Sequence, residues 1–212
     1  MEETTQARIS LTVICSKLQL KGLVAATDGN VSCRVGEEYF LITPSGKAKG
    51  DLTPLDMLLV NPRGEVLQGN GKPSSEFRMH SLIYSRRGDV QAVVHAHPPM
   101  LTAFTVAGVP FVAEALPEVY LGFGAVPTAG YATPTTDEVP DSIESLIDDH
   151  QAILLERHGS VTMGASLEEA YLRLEKLEHA AHTLFYSRIL AKDGPSALPE
   201  AFLRRLDELH RY

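Results

Sequence analysis

Two histidines one residue apart, in Val93-Val94-His95-Ala96-His97, carry the sharpest chemistry in the chain. On a strand, side chains two apart share a face. Both imidazoles can therefore address one ion, at about 2.0–2.1 Å from each nitrogen. A catalytic zinc centre takes three protein ligands and keeps one position open. His158 is the best third ligand, because it ends an apolar strand and precedes Gly159, where the backbone can come close. Glu76 adds a carboxylate, which beside zinc serves as ligand, general base, or both in turn; a plain first-turn acid is its ordinary reading. A donor set of this kind also accepts manganese, cobalt or nickel. His179 and His182, three apart on a segment rich in Glu and Lys, read as a solvated helix face.

A second chemistry is anion binding. Ser74 and Ser75 stand where a helix is expected to begin, and free N–H groups with the helix dipole make such a place an anion site. Plain helix capping explains the same serines. Thr27-Asp28-Gly29-Asn30 and Thr43-Pro44-Ser45-Gly46 are two more hydroxyl-and-glycine turns, each also adequate as an ordinary turn.

The elements that must position these residues are legible in outline. Residues 5–21 form an amphipathic helix ended by Gly22. Strands are expected over 31–35, 39–43 and 58–61, with a further one around Val66. The Ser74–Glu76 start predicts a helix to about Arg87, and Val90 to His95 a buried strand. Helices follow to about Ala107, over 138–147, from 167 to 190 behind a Ser166 cap, and over 198–210. Ala152 to Leu155 is a short strand. Strands and helices alternate without regular βαβ repetition, which favours a layered α/β domain with a mostly antiparallel or mixed sheet.

Composition fits this picture. The chain has 212 residues, 44% hydrophobic and 22% charged, which suits one large soluble domain, 1–212. Its net charge of −8 argues against an open nucleic-acid surface. A single phosphate can still be held by a local pocket of N–H groups. Neither a signal peptide nor a bilayer-spanning run is expected, and Cys15 and Cys33 are expected to be reduced, so the inferred compartment is the cytoplasm.

Taken in order, TDGNVS (27–32), ITPSG (42–46), KPSSEFRMH (72–80), VVHAH (93–97) and LLERHG (154–159) resemble the class II aldolase/adducin family. The resemblance implies a three-layer α/β/α sandwich around a central, mainly antiparallel sheet. It also implies a homotetramer with active sites between subunits. It makes His95, His97 and His158 zinc ligands, and Glu76 a fourth ligand that becomes the acid/base. Asn30, Thr43, Ser74 and Ser75, with the backbone near Gly29 and Gly46, are then the phosphate site. The implied reaction cleaves a ketose 1-phosphate, such as L-fuculose 1-phosphate, into dihydroxyacetone phosphate and an aldehyde. Tyr120, Tyr131 and Tyr212 are candidate proton donors. Relatives run decarboxylation, dehydration or 4-epimerisation at such a site. Glu76 stands where the epimerases usually carry aspartate, which weighs against epimerisation. A non-catalytic adducin-like assembly module and a zinc hydrolase are the remaining alternatives. The intact histidine set argues against the first, and the phosphate-holding turns and lack of a HExxH motif against the second.

Overall fold

Apolar residues alternate along the strands, and each alternation assigns one face of a sheet to one layer of helices. In the computed structural model, which describes residues 2–191 and 193–209, eight strands form one open sheet in the order β4-β3-β2-β1-β5-β8-β7-β6. They are β1 (Asn30–Val35), β2 (Tyr39–Ile42), β3 (Leu58–Val60), β4 (Val66–Gln68), β5 (Ala92–Ala96), β6 (Thr128–Ala129), β7 (Ala152–Leu155) and β8 (Gly159–Gly164). Every pairing is antiparallel except β6 with β7.

The helices are α1 (Glu2–Leu20), α2 (Phe77–Arg86), α3 (Pro99–Val106), α4 (Pro117–Phe123), α5 (Glu138–Ile143), α6 (Leu167–Leu190) and α7 (Glu200–Leu209). Val31, Ala92, Val94 and Leu154 face a core shared with α1, α3, α4 and α6. Val93, Ile153, Val161 and Met163 face the opposite core, shared with α2 and α5. The result is helices on both faces of the sheet, as expected. Fully buried leucines such as Leu11, Leu101 and Leu174 each contribute on the order of 1.5–3 kcal/mol through removal of apolar surface from water.

Several local expectations change. The second strand of the C-terminal hairpin, β8, reads poorly in sequence because Ser160 and Thr162 are buried on it; the Thr162 hydroxyl donates to Ala170 O in α6, at 2.8 Å. α4 and β6 were also not expected. α2 begins at Phe77 with no side-chain cap. Ser74 instead accepts from Glu76 N–H at 3.3 Å and shapes the turn before the helix. The 138–147 helix stops at Ile143 and gives way to turns. β5 runs one residue further than expected, to Ala96, so His97 stands just past its end, its N–H donating to Leu23 O at 3.1 Å. Residue 210, the end of the expected last helix, lies outside the described residues.

Candidate metal centre and substrate cleft

Two neighbouring strands and one helix face each other across the α2 side of the sheet, and their spacing brings the polar residues together. Asn30 of β1 pairs with His95 of β5, and Ser32 with Val93. Val31 and Cys33 point to the other core, so Asn30, Ser32 and His95 face α2. Glu76 at the N-cap of α2, and His80 and Tyr84 within it, are four apart and lie on one face. His158 arrives from the tight turn between β7 and β8, where Arg157 takes a left-handed φ of 57°. That conformation is uncommon for a residue with a Cβ and marks a turn fixed by its surroundings. Gly159 is obligatory here, since a Cβ would meet Ala96 O at 2.4 Å.

The three imidazoles of His95, His97 and His158 converge, with ring centroids 4.8–4.9 Å apart. One ligand nitrogen from each lies within 4.8 Å of the others. His95 Nδ1 donates to Ser160 O at 2.9 Å, which leaves its Nε2 as a lone pair facing inward. His97 Nε2 lies 3.1 Å from that atom, and its Nδ1 lies 3.6 Å from Asp28 Oδ2. Glu76 Oε2 is 3.0 Å from His95 Nε2, and Oε1 is 3.2 Å from His158 Nε2. Glu76 Oε1 is buried and makes no hydrogen bond. Inward-facing nitrogens and an unsatisfied buried carboxylate oxygen fit a divalent cation, in number and in donor type.

The electrostatics agree. Burial works against charge on Glu76, but the adjacent His95 and His158 outweigh it and hold the carboxyl below the usual carboxylate range. His95 shifts up, because the nearby Glu76 overcomes the effect of burial. Burial and the two neighbouring imidazoles push His97 down to about 4.

A cleft of about 270 Å³ opens over this cluster. Gly29, Gly46, Ser74 and Ser75 line it, as expected, and so does Ser45. Gly29 has a φ of 73°, and a Cβ there would meet His95 O at 2.9 Å, so only glycine lets this turn lie against β5. The turns are tied together: Ser45 N–H donates to Lys72 O at 2.9 Å. Lys49 Nζ, buried, donates to Thr27 O and Lys47 O at 2.9 Å each. Thr43 is placed differently from expectation. It is fully buried, its hydroxyl accepts from Val31 N–H at 3.2 Å, and it does not line the cleft. Asn30 borders the cleft, yet its amide is turned inward to Glu76 and His80.

The tyrosines are elsewhere. Tyr120 sits on α4, where the nearby Asp207 pushes its hydroxyl up; Tyr131 is 61% exposed; neither lines the cleft. Tyr212 lies outside the described residues. The far wall is Pro134 and Thr135, which sequence reading did not single out. A φ of 69° at Thr135 is a left-handed conformation rare for a β-branched residue, a signal invisible in the sequence. His80, Asp28 and Lys49 were likewise missed as supports. For His80 the available signal was its spacing of four from Glu76 on a helix.

Fold and site together define an α/β/α protein with a three-histidine candidate metal centre beneath a cleft walled by glycine and serine turns. The family model described as "Class II Aldolase and Adducin N-terminal domain" matches residues 10–185, and the chain belongs to that family. It is 35% identical over 187 residues to a 5-methylthioribulose-1-phosphate/5-deoxyribulose-1-phosphate aldolase of Rhodospirillum rubrum, covering 88% of this chain and 83% of that one. It is 33% identical to a 3-oxo-tetronate 4-phosphate decarboxylase of Escherichia coli, covering 84% and 85%. A solved L-fuculose 1-phosphate aldolase superimposes with a TM-score of 0.86 at 26% identity, covering 98% and 97%. Relatives with these names act on sugar phosphates, and among the described residues no helix is long and apolar enough to cross a membrane.

Proposed function

We propose that the chain is a zinc-dependent aldolase that cleaves a small ketose 1-phosphate, of the L-fuculose 1-phosphate or 5-deoxyribulose 1-phosphate type, to dihydroxyacetone phosphate and an aldehyde. The observation that carries this reading is the placement of Glu76. Its carboxylate lies against His95 and His158 and at the same time lines the cleft together with the Gly29, Gly46 and Ser74–Ser75 turns.

In this reading His95, His97 and His158, with Glu76, hold the cation. When bound it supplies Lewis-acid stabilisation of the negative charge that develops on the substrate oxygens. The Ser74 and Ser75 hydroxyls and the turn N–H groups near Gly29 and Gly46 hold the phosphate. Substrate takes the place of Glu76 at the cation, the C4 hydroxyl gives its proton to the freed Glu76 carboxylate, the C3–C4 bond breaks to leave the aldehyde, and the bond's electron pair stays on C3 as an enediolate. Glu76 returns a proton to C3, completing dihydroxyacetone phosphate. Turnover requires Glu76 to exchange that proton, which its place in the cleft lining permits.

The chain acts as a homotetramer in the cytoplasm in this reading, with the aldehyde-side groups coming from a neighbouring subunit. Exposed Leu20, Leu190 and Phe202 supply apolar surface for such contacts. A second reading, decarboxylation of an oxidised tetronate phosphate, is favoured by one observation. Neither described candidate tyrosine, Tyr120 nor Tyr131, lines the cleft, and a decarboxylation releases carbon dioxide with no aldehyde oxygen to manage. The test is release of dihydroxyacetone phosphate from a panel of ketose 1-phosphates by zinc-loaded protein, run beside carbon dioxide release from 3-oxo-tetronate 4-phosphate. Chelator-sensitive dihydroxyacetone phosphate supports the aldolase. Carbon dioxide alone selects the second reading.

A further inference from the structure

Behind the metal-side wall runs a buried polar chain. Tyr84 Oη lies 2.7 Å from Ser32 Oγ, and Ser32 Oγ lies 2.6 Å from His80 Nδ1. His80 Nε2 lies 2.5 Å from Asn30 Oδ1, and Asn30 Nδ2 donates to Glu76 Oε2 at 2.9 Å. All five side chains are buried, Ser32 and His80 completely.

The direction of every hydrogen bond follows from the carboxylate end. An ionised carboxylate only accepts, so Asn30 must turn its amide N–H to Glu76 and its oxygen to His80. That oxygen only accepts as well, so His80 Nε2 must carry a proton. Complete burial, reinforced by His95 nearby, pushes the His80 imidazolium down to about 3, so the ring is neutral and Nδ1 is a lone pair. Ser32 therefore donates to Nδ1 and accepts from the Tyr84 hydroxyl. All four hydrogen bonds point toward Glu76, and bonds aligned in this way polarise one another.

We infer that His80 is a positioning residue: as its Nε2–H tautomer it locks the Asn30 carboxamide, which in turn holds the Glu76 carboxylate facing His95 and His158. The inference rests on the proposed role of Glu76 as acid/base. The amide of Asn30 interrupts the chain as a proton path, so the chain orients Glu76 and does not conduct protons. With Asn30 flipped, its oxygen would stand against a carboxylate oxygen, and His80 would be forced into the other tautomer.

Long-range 1H–15N spectra of the zinc-loaded protein read the ring directly. A single His80 tautomer with the proton on Nε2 between pH 6 and 8 is expected; a proton on Nδ1 overturns the inference whatever the reaction. On the substrate identified by the assay above, His80→Met should lower kcat by about 10- to 100-fold at little-changed KM and with zinc retained. His80→Gln, whose amide N–H reaches toward Asn30, should recover most of that loss. Equal losses in both variants, or an effect confined to KM, would overturn the positioning role. Should His80→Met not fold, the spectrum decides alone. Should no sugar phosphate react, the proposed function fails while the tautomer assignment is still decided by the spectrum.

Discussion

The two walls of the cleft are built on opposite principles. The metal-side wall and its backing are over-determined: Asn30 and Glu76, with His80 and His95 behind them, are buried, they sit on β1, β5, α2 and its N-cap, and each is held by at least one partner. The far wall is an exposed loop at Pro134 and Thr135. Arg78 fastens it, donating to Thr135 O at 2.8 Å and pairing with Asp137 at 2.7 Å. Rigid elements fix the groups that every reaction in such a cleft would share, and a loop carries the part that selects a substrate. The similarity to both an aldolase and a decarboxylase fits that division, since fold and shared site do not fix the reaction.

The largest effect should come from His95→Ala. It removes a buried nitrogen from the centre of the cluster and leaves Glu76 without its nearest imidazole partner. Complete loss of bound zinc, read by elemental analysis, and of activity is expected. A fully metallated, active variant would place the centre elsewhere. Glu76→Gln comes next. It keeps the shape and the histidines but removes the acid/base, so turnover should fall by about 10²-fold or more with zinc retained. Near-normal kcat would reduce Glu76 to a structural neighbour of the histidines.

These two residues were legible in sequence, because chemistry of this kind advertises itself by spacing: His-x-His on an apolar run, and an acid at the start of a helix. What surrounds them was not. His80 reads as an ordinary helix residue until the fold sets it opposite Asn30. The family resemblance makes Thr43 a phosphate ligand, but the backbone N–H of Val31 takes its oxygen first. β8 escaped because Ser160 and Thr162 break its apolar run, and only burial against α3 and α6 explains them. Partner choice depends on tertiary neighbours, which periodicity does not encode.

Ser75→Ala tests the border between the two walls. The residue is exposed to the cleft, so its loss should leave the fold intact. One hydroxyl to phosphate is a charge-assisted hydrogen bond, worth about 1.5–3 kcal/mol, or roughly a 10- to 150-fold rise in KM for a phosphorylated substrate. An unphosphorylated analogue should be almost unaffected. Equal effects on both would assign Ser75 to shaping the turn.

The smallest effect should come from Arg78→Ala, and it sharpens the comparison most. The side chain is exposed, and its pair with Asp137 is screened by water, so the stability cost should be within about 1 kcal/mol. The Thr135 carbonyl it holds has no such freedom, because Thr135 occupies a left-handed conformation that the loop does not favour unaided. Releasing it should let the far wall relax while Glu76, His95 and the Ser74–Ser75 turn stay in place. The expected signature is therefore a changed ratio of kcat/KM among substrates differing only beyond C4, with zinc content and the melting temperature nearly unchanged. A uniform loss across the panel would mean that Arg78 acts through α2 on Glu76, two residues away, and that the two walls are mechanically one.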